Sequence, residues 1–192
     1  MNNFGEMISI ETLLSICLGI GLAASAGFRI FVPLFILSLA SNFDWISVND
    51  NWQWIGETPA LIALAIALFF EISAYYIPFI DNFLDSIAIP LAAIAGTVVM
   101  ASTLIDLSPL ITWGLAVIAG GGTAVAINSA TATTRLTSSA TTGGLGNSIF
   151  STVETGTATV MSIVSVFIPV LAFLLVIFIF FVGIKMIKKI VK

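Results

Sequence analysis

The chain has 192 residues, of which 59% are hydrophobic and 8% are charged. Soluble domains are about 45–50% apolar and about 25% charged, and roughly a third of the surface of a chain of this size stays wet after folding. The composition therefore excludes a soluble globular protein and predicts a single transmembrane domain over residues 1–192, with the lipid bilayer as its surroundings. The net charge of −4 argues against nucleic acid as a partner, because phosphate binding requires a basic surface.

Classical catalytic groups are scarce in this chain, which has no histidine and a single cysteine, Cys17. This composition excludes metal hydrolysis through histidine ligands, Cys–His catalysis and an internal disulfide. The Gly-rich stretch GGLGN at residues 143–147 is not followed by the Gly-Lys-Ser/Thr of a P-loop. We therefore expect no cofactor and no enzyme activity, while the existence of a metal site stays open.

Five apolar segments are candidates for membrane spans, since a helix needs about 20 apolar residues to cross the hydrocarbon core. The first, residues 8–40, is too long for one upright span and is interrupted by Gly27 and Pro33. The others are residues 59–78, 83–107, 109–130 and 160–184. The sequence thus predicts an all-α, polytopic transmembrane helix bundle of about five spans, with broken or re-entrant helices.

The basic residues are placed unevenly, because all four lysines lie within the last eight residues. Positive charges beside a span favour the cytoplasmic side, so we expect a multi-pass membrane protein with a cytoplasmic C-terminus. Five simple spans would then place the acidic loop at residues 41–58 in the cytoplasm. A re-entrant first segment or a re-entrant Ser/Thr-rich segment would remove that conflict, and the sequence leaves both alternatives open.

Two connections have unusual compositions. Residues 41–58 are polar and acidic and contain Trp45, Trp52 and Trp54, which predicts a loop at the membrane interface, in preference to a ligand cage. In residues 129–152, 12 of 24 residues are serine or threonine. Hydroxyl groups can satisfy helix carbonyls inside a membrane, so we favour a polar broken helix that turns at residues 143–147 over an aqueous loop.

Arg29 lies within an apolar stretch, where a lone charge costs about 3 kcal/mol on insertion scales. It is 11 residues before Ala40, and Glu71 is 12 residues after Pro59. If these two positions end antiparallel helices, both charges lie about 16–18 Å deep at ~1.5 Å per residue. Matched depth and opposite sign predict an Arg29–Glu71 ion pair.

A similar arrangement recurs later in the chain, where Arg135 follows the small residues SATATT and Glu154 lies beyond the glycines. In each half an arginine is followed by an acid and then by an apolar helix. The recurrence fits an inverted repeat with halves at residues 8–107 and 109–185, an architecture that places polar sites near the membrane centre.

Asp81 and Asp85 stand four residues apart, hence on one helical face, shortly after Pro78. Paired carboxylates can hold a cation, and two aspartates are the minimum for a magnesium–phosphate site. The favoured interpretation is an N-terminal helix cap, because the helix dipole stabilises acids in the first turn.

Three ordered motifs, AGFRIFVPL, FEISAYYIPFIDNFLD and TTGGLGNSIFSTVE, resemble a family of small bacterial integral membrane proteins known as domain of unknown function 4126. The resemblance covers nearly the whole chain and implies a family membrane domain without a known activity. The family often has Asp-Lys where this chain has Tyr75-Tyr76, and this departure argues against a mechanism that needs a third intramembrane ion pair there. The family also often has proline where this chain has Ser148. The charged residues and prolines at motif positions are Arg29, Pro33, Glu71, Pro78, Asp81, Asp85, Arg135 and Glu154.

The leading functional hypothesis is a small transporter or channel-like carrier for a small, anionic or zwitterionic solute. Arg29 and Arg135 would contact the solute, and Glu71 and Glu154 would act as counter-ions or proton carriers. Asn147 and Pro33 complete the candidate binding residues. The alternatives are a structural or accessory subunit and, less favoured, a membrane enzyme that acts on lipid phosphate through Asp81 and Asp85. The small size of the bundle suggests a homo-oligomer.

Overall fold

A computed structural model describes residues 9–142 and 146–190 of the chain. The regular structure in these two ranges is helical. The α-helices are α1 (Ile10–Phe28), α2 (Phe31–Asn42), α3 (Thr58–Ala74), α4 (Pro78–Thr103), α5 (Pro109–Leu115), α6 (Gly122–Thr142), α7 (Asn147–Phe167) and α8 (Pro169–Ile190). A 3-10 helix (Asp50–Gly56) precedes α3, and a π-helix (Ala116–Gly121) joins α5 to α6.

Within the described ranges, four helical segments are long and apolar enough to cross a membrane: Ile10–Phe28, Phe83–Thr103, Pro109–Leu136 and Asn147–Phe167. The 3-10 helix and α3, which meet at 65°, form a fifth candidate if counted as one bent span. The apolar parts of α2 and α8 are shorter. The prediction of an all-helical polytopic membrane protein with about five spans is confirmed.

Helix α1 is the central element and packs against α4, α6, α7 and α8. Its second half is rich in glycine, alanine and serine, so neighbouring helices approach closely. The hydroxyl of Ser25 lies 2.6 Å from the hydroxyl of Ser162 and donates to the carbonyl of Ala158, also on α7. A buried polar contact therefore joins α1 to α7 at Ser25.

The first predicted segment, residues 8–40, is divided into α1 and α2 by a break at Arg29 and Ile30. Arg29 has extended backbone angles (φ −147°, ψ 128°) and ends α1. Pro33 is buried at the third position of α2, where its missing N–H has no helical acceptor to lose. The interruption predicted from Gly27 and Pro33 is confirmed, and it leaves an arginine at the junction.

The fifth predicted span, residues 160–184, is wrong as a continuous helix. Helix α7 ends at Phe167, Ile168 adopts non-helical angles (φ −139°, ψ 68°), and α8 begins at Pro169. The physical reason is Pro169, which disfavours the helical conformation of the residue before it. The uniformly apolar sequence on both sides concealed this break.

The Ser/Thr-rich segment is helical on both sides of residues 143–145, which lie outside the described residues. Helix α6 continues past Ala130, the end of the apolar part of the fourth span, to Thr142, and α7 begins at Asn147. Threonine hydroxyls donate back to helix carbonyls, as from Thr134 to Ala130. This arrangement agrees with the predicted polar helix.

Candidate functional site: a buried arginine centre

Arg29 projects from the α1–α2 break into the interior, where 1% of the residue is exposed. Its Nε donates to the hydroxyl of Thr155 (3.0 Å), and one Nη donates to the carbonyl (3.0 Å) and the hydroxyl of Ser151. The same nitrogen is 3.5 Å from a carboxylate oxygen of Glu154. One face of α7, with residues at i, i+3 and i+4, thus receives this guanidinium.

Arg135 reaches the same carboxylate from α6 and is 4% exposed. Its Nε donates to one oxygen of Glu154 at 3.0 Å, and an Nη donates to the other. The second Nη donates to Asp85 of α4 at 3.0 Å. A bidentate arginine–carboxylate pair of this kind combines charge with fixed geometry. Glu154 is therefore the acid shared by the two buried arginines.

Tyr75, at the end of α3, brings an aromatic ring to both cations. The guanidinium carbon of Arg29 lies 3.7 Å from the ring centre, and that of Arg135 lies 4.5 Å from it. The negative face of the ring attracts each cation. Sequence reasoning missed Tyr75 as a site residue, although the departure from the family pattern at Tyr75-Tyr76 was the available signal.

The predicted ion pair between Arg29 and Glu71 is wrong. The Glu71 carboxylate instead accepts hydrogen bonds from the backbone amides of Ile30 (2.8 Å) and Phe31 (3.0 Å). These amides begin α2, where no preceding carbonyl can accept them and where the helix dipole favours a negative group. Glu71 therefore caps the broken helix beside Arg29, while Glu154 takes the role of its counter-ion.

A backbone carbonyl at the end of α1, just before the break, also has a hydrogen-bond partner. The side-chain amide of Asn128, on α6, donates to the carbonyl of Gly27 at 3.1 Å. Two polar atoms at this centre are buried without a partner among the described residues, namely Nη1 of Arg29 and Oδ1 of Asn128. Such atoms are uncommon in native interiors and mark places where a further polar group can be received.

Asp81 and Asp85, the predicted aspartate pair, are not described as one site in the structure. Asp85 is the eighth residue of α4 and forms the ion pair with Arg135, so its interpretation as an N-terminal cap is wrong. The side chain of Asp81 lies outside the described part of the structure. Among the described residues, no group of three or more acidic, histidine or cysteine side chains is placed to hold a metal ion.

The remaining two candidate residues lie at helix starts. Asn147 is buried at the first residue of α7, one turn before Ser151. Pro33 lies near the start of α2 and fixes the end of the break. The structure thus brings Arg29, Arg135 and Glu154 into direct contact, and it assigns Glu71 and Pro33 to the helix break beside them.

The centre contains two cations and two directly paired acids from four different elements: the α1–α2 break, α4, α6 and α7. The charges of these four side chains balance, which greatly lowers the free-energy cost of placing them in a low-dielectric interior. Chemically, the arrangement presents guanidinium donors suited to carboxylate or phosphate oxygens. It can bind and exchange an anion, or it can lock the helices together.

The family model described as Domain of unknown function (DUF4126) matches residues 16–189. No curated protein and no solved structure gave a match. The matched range includes Arg29, Glu71, Asp85, Arg135 and Glu154, so the buried centre lies inside the family domain. The chain belongs to the DUF4126 family.

Proposed function

We propose that the protein is a small carrier that moves an anionic solute across the bilayer by way of the buried arginine centre. The observation that carries this proposal is Arg29, whose Nη1 is buried without a partner beside the second arginine, Arg135. Ionisable residues inside membrane proteins are costly and commonly mark substrate or ion pathways. The carrier interpretation gives this buried, unpartnered donor a binding partner.

The exchange of anions is supported by the position of Glu154. Its carboxylate contacts both arginines, as a solute carboxylate or phosphate would. Entry of a solute anion would add negative charge to a balanced cluster, which favours release of the Glu154 carboxylate from the two arginines. Glu154 therefore serves as the internal counter-ion, and Glu71 maintains the break.

The test is a flux assay in proteoliposomes with labelled chloride, nitrate, inorganic phosphate and succinate. We expect uptake of at least one anion to be reduced at least tenfold in Arg29→Gln. Lys188→Gln is the matched control, because it removes one positive charge from an exposed position on α8. Wild-type flux in a folded Arg29→Gln protein, or equal losses in both variants, would overturn the carrier assignment.

A structural or accessory role is the second candidate, and one observation favours it. The Glu71 carboxylate and both oxygens of Glu154 are already bound by groups of the chain itself. Under this alternative the centre holds the helices in register for a larger assembly. Co-purification of a stoichiometric partner, without thermal stabilisation by any of the four anions, would favour this role over the carrier.

The remaining expectations concern placement and assembly. We infer a location in the bacterial inner membrane with the lysine-containing end of α8 in the cytoplasm, supported by Lys185 and Lys188. Reporter fusions to the C-terminus test this orientation. We also infer a homo-oligomer, because a 20.2 kDa bundle has little interior for a translocation path. Native mass spectrometry of the detergent-solubilised protein tests that inference.

A further inference from the structure

A cavity lies at the end of the bundle where α2 ends and α3 begins, and no residue of the arginine centre lines it. Its volume is about 360 Å³, and its walls come from the 3-10 helix, the α4–α5 connection and α5. Trp52, Trp54 and Trp113 line it together with Asn51 and Leu107. This volume falls in the range of small-molecule sites, which lie at about 300–1,000 Å³. We call it the tryptophan cleft.

The tryptophan cleft is held in shape by contacts to α4. The backbone N–H of Asn49 donates to the carbonyl of Ser102, and its side-chain amide donates to the carbonyl of Leu104, both at 2.8 Å. Trp52 also packs on the apolar cluster that contains Met100 and Leu104. A ligand would therefore meet a formed aromatic wall and would not have to order the loop.

The aromatic side chains in this cleft are partly exposed. Trp54 and Trp113 are each 52% exposed, and the ring centres of Trp52 and Trp54 are 6.0 Å apart with an angle of 33° between the planes. The face of an indole ring attracts cations more strongly than that of any other side chain, and quaternary ammonium groups are well suited to such sites.

The charges around the tryptophan cleft also favour a cation. Asp50 lies on the same 3-10 helix as Trp52 and Trp54, and Asp106 precedes Leu107; both aspartates are exposed. The sequence contains neither lysine nor arginine between Arg29 and Arg135, so acidic residues are the only charged ones in that interval. An ammonium group would meet attraction from both the rings and the acids.

We propose that the tryptophan cleft binds an alkylammonium group, carried either by a soluble cation or by a lipid headgroup. Cation–π contact with Trp54 and Trp113 would supply the affinity, and Asp50 and Asp106 would raise the local cation concentration. This site is separate from the arginine centre and does not depend on the carrier proposal.

The protein's own fluorescence tests this site, since three of its four tryptophans line the cleft. The full chain is placed in phosphatidylglycerol nanodiscs and titrated with tetramethylammonium chloride, with sodium chloride at equal ionic strength as the reference. We expect a saturable change in emission with tetramethylammonium. Trp54→Leu and Trp113→Leu should each raise the apparent dissociation constant for tetramethylammonium roughly fivefold, as expected for about 1 kcal/mol per ring.

Trp45→Phe is the matched control. Trp45 packs between Phe43 and Phe167, at 5.5 Å from each ring centre, and does not line the cleft. Its replacement should leave the titration unchanged. A response that is equal for sodium, that does not saturate, or that survives unchanged in both leucine variants overturns the proposal.

The source of the ammonium group is decided by repeating the titration in nanodiscs that contain phosphatidylcholine. If the headgroup occupies the cleft, it competes and the tetramethylammonium response shrinks. If the response is unchanged, the ligand is a soluble cation. Both outcomes support an ammonium site and differ only in the source.

Discussion

The guanidinium carbon of Arg29 lies 3.7 Å from the centre of the Tyr75 ring, deep in the interior of the bundle. The same ring is 4.5 Å from the guanidinium carbon of Arg135. A single aromatic side chain thus contacts two like charges in a medium of low dielectric constant. Because the face of the ring carries negative charge density, it offsets part of the repulsion between the two arginines without adding a carboxylate.

This relationship predicts that the ring of Tyr75 contributes to the stability of the protein and that its hydroxyl does not. Tyr75→Leu should lower the free energy of unfolding by about 2 kcal/mol, the upper end for a desolvated cation–π contact. Tyr75→Phe should retain most of the stability. Thermal unfolding in nanodiscs measures both, with Tyr76→Leu as the control at the neighbouring exposed position. Equal losses in the leucine and phenylalanine variants at position 75 would assign the effect to the hydroxyl.

Among the acidic residues, Glu154 is predicted to cause the largest loss of stability when its charge is removed. Glu154→Gln leaves Arg29 and Arg135 buried without their shared carboxylate, and removing one member of a buried ion pair costs about 3 kcal/mol or more. Glu57→Gln is the control, since Glu57 is exposed at the N-cap of α3 without a side-chain cap. Such surface changes stay within about 0.5 kcal/mol.

A double variant sharpens this second prediction. Combining Glu154→Gln with Arg135→Gln removes one charge of each sign, so its unfolding free energy should fall by less than the sum of the two single losses. Chemical unfolding in detergent provides all three values. Strict additivity would show that the pair contributes no coupling energy and would contradict the assigned geometry.

Glu71 is predicted to stabilise the start of α2 locally. In Glu71→Ala the amides of Ile30 and Phe31 lose their acceptor, and a buried donor left unsatisfied costs about 1–3 kcal/mol. Hydrogen–deuterium exchange should therefore accelerate at these two amides. Peptides from the middle of α4 provide the internal reference. Unchanged exchange at Ile30 and Phe31, in a variant whose overall stability falls, would indicate that Glu71 acts elsewhere.

The burial of Arg29 could be predicted from sequence, and the atoms it contacts could not. Matched depth correctly placed the Glu71 carboxylate within one residue of Arg29, at the amide of Ile30. Matched depth takes no account of the backbone amides that a helix break leaves without carbonyl acceptors. These amides compete with a guanidinium for the same carboxylate, and the outcome depends on the geometry of the break.

The residues of α7 that contact Arg29 also show how far the site could be predicted from sequence. Ser151, Glu154 and Thr155 share one helical face by spacing alone, so they can contact a single side chain together once α7 is known to be a helix. The two ends of α7 were hard to predict, because glycines precede the helix and a uniformly apolar run surrounds Pro169. In uniformly apolar sequence, hydrophobic periodicity carries no signal for breaks, and proline is the remaining marker.

Close backbone contact between α4 and the π-helix gives a final prediction with a built-in control. A Cβ added to Gly120 would lie 2.5 Å from both the Gly96 carbonyl oxygen and the Met100 Cβ, whereas one added to Gly122 meets no atom within 4 Å. Gly120→Ala must therefore push two helices apart and should cost about 1–3 kcal/mol. Gly122→Ala should be neutral or stabilising by up to about 1 kcal/mol, because alanine is the better helix former. Unfolding of the two variants in parallel measures the difference, and losses of similar size would show that the helices are not in contact at Gly120.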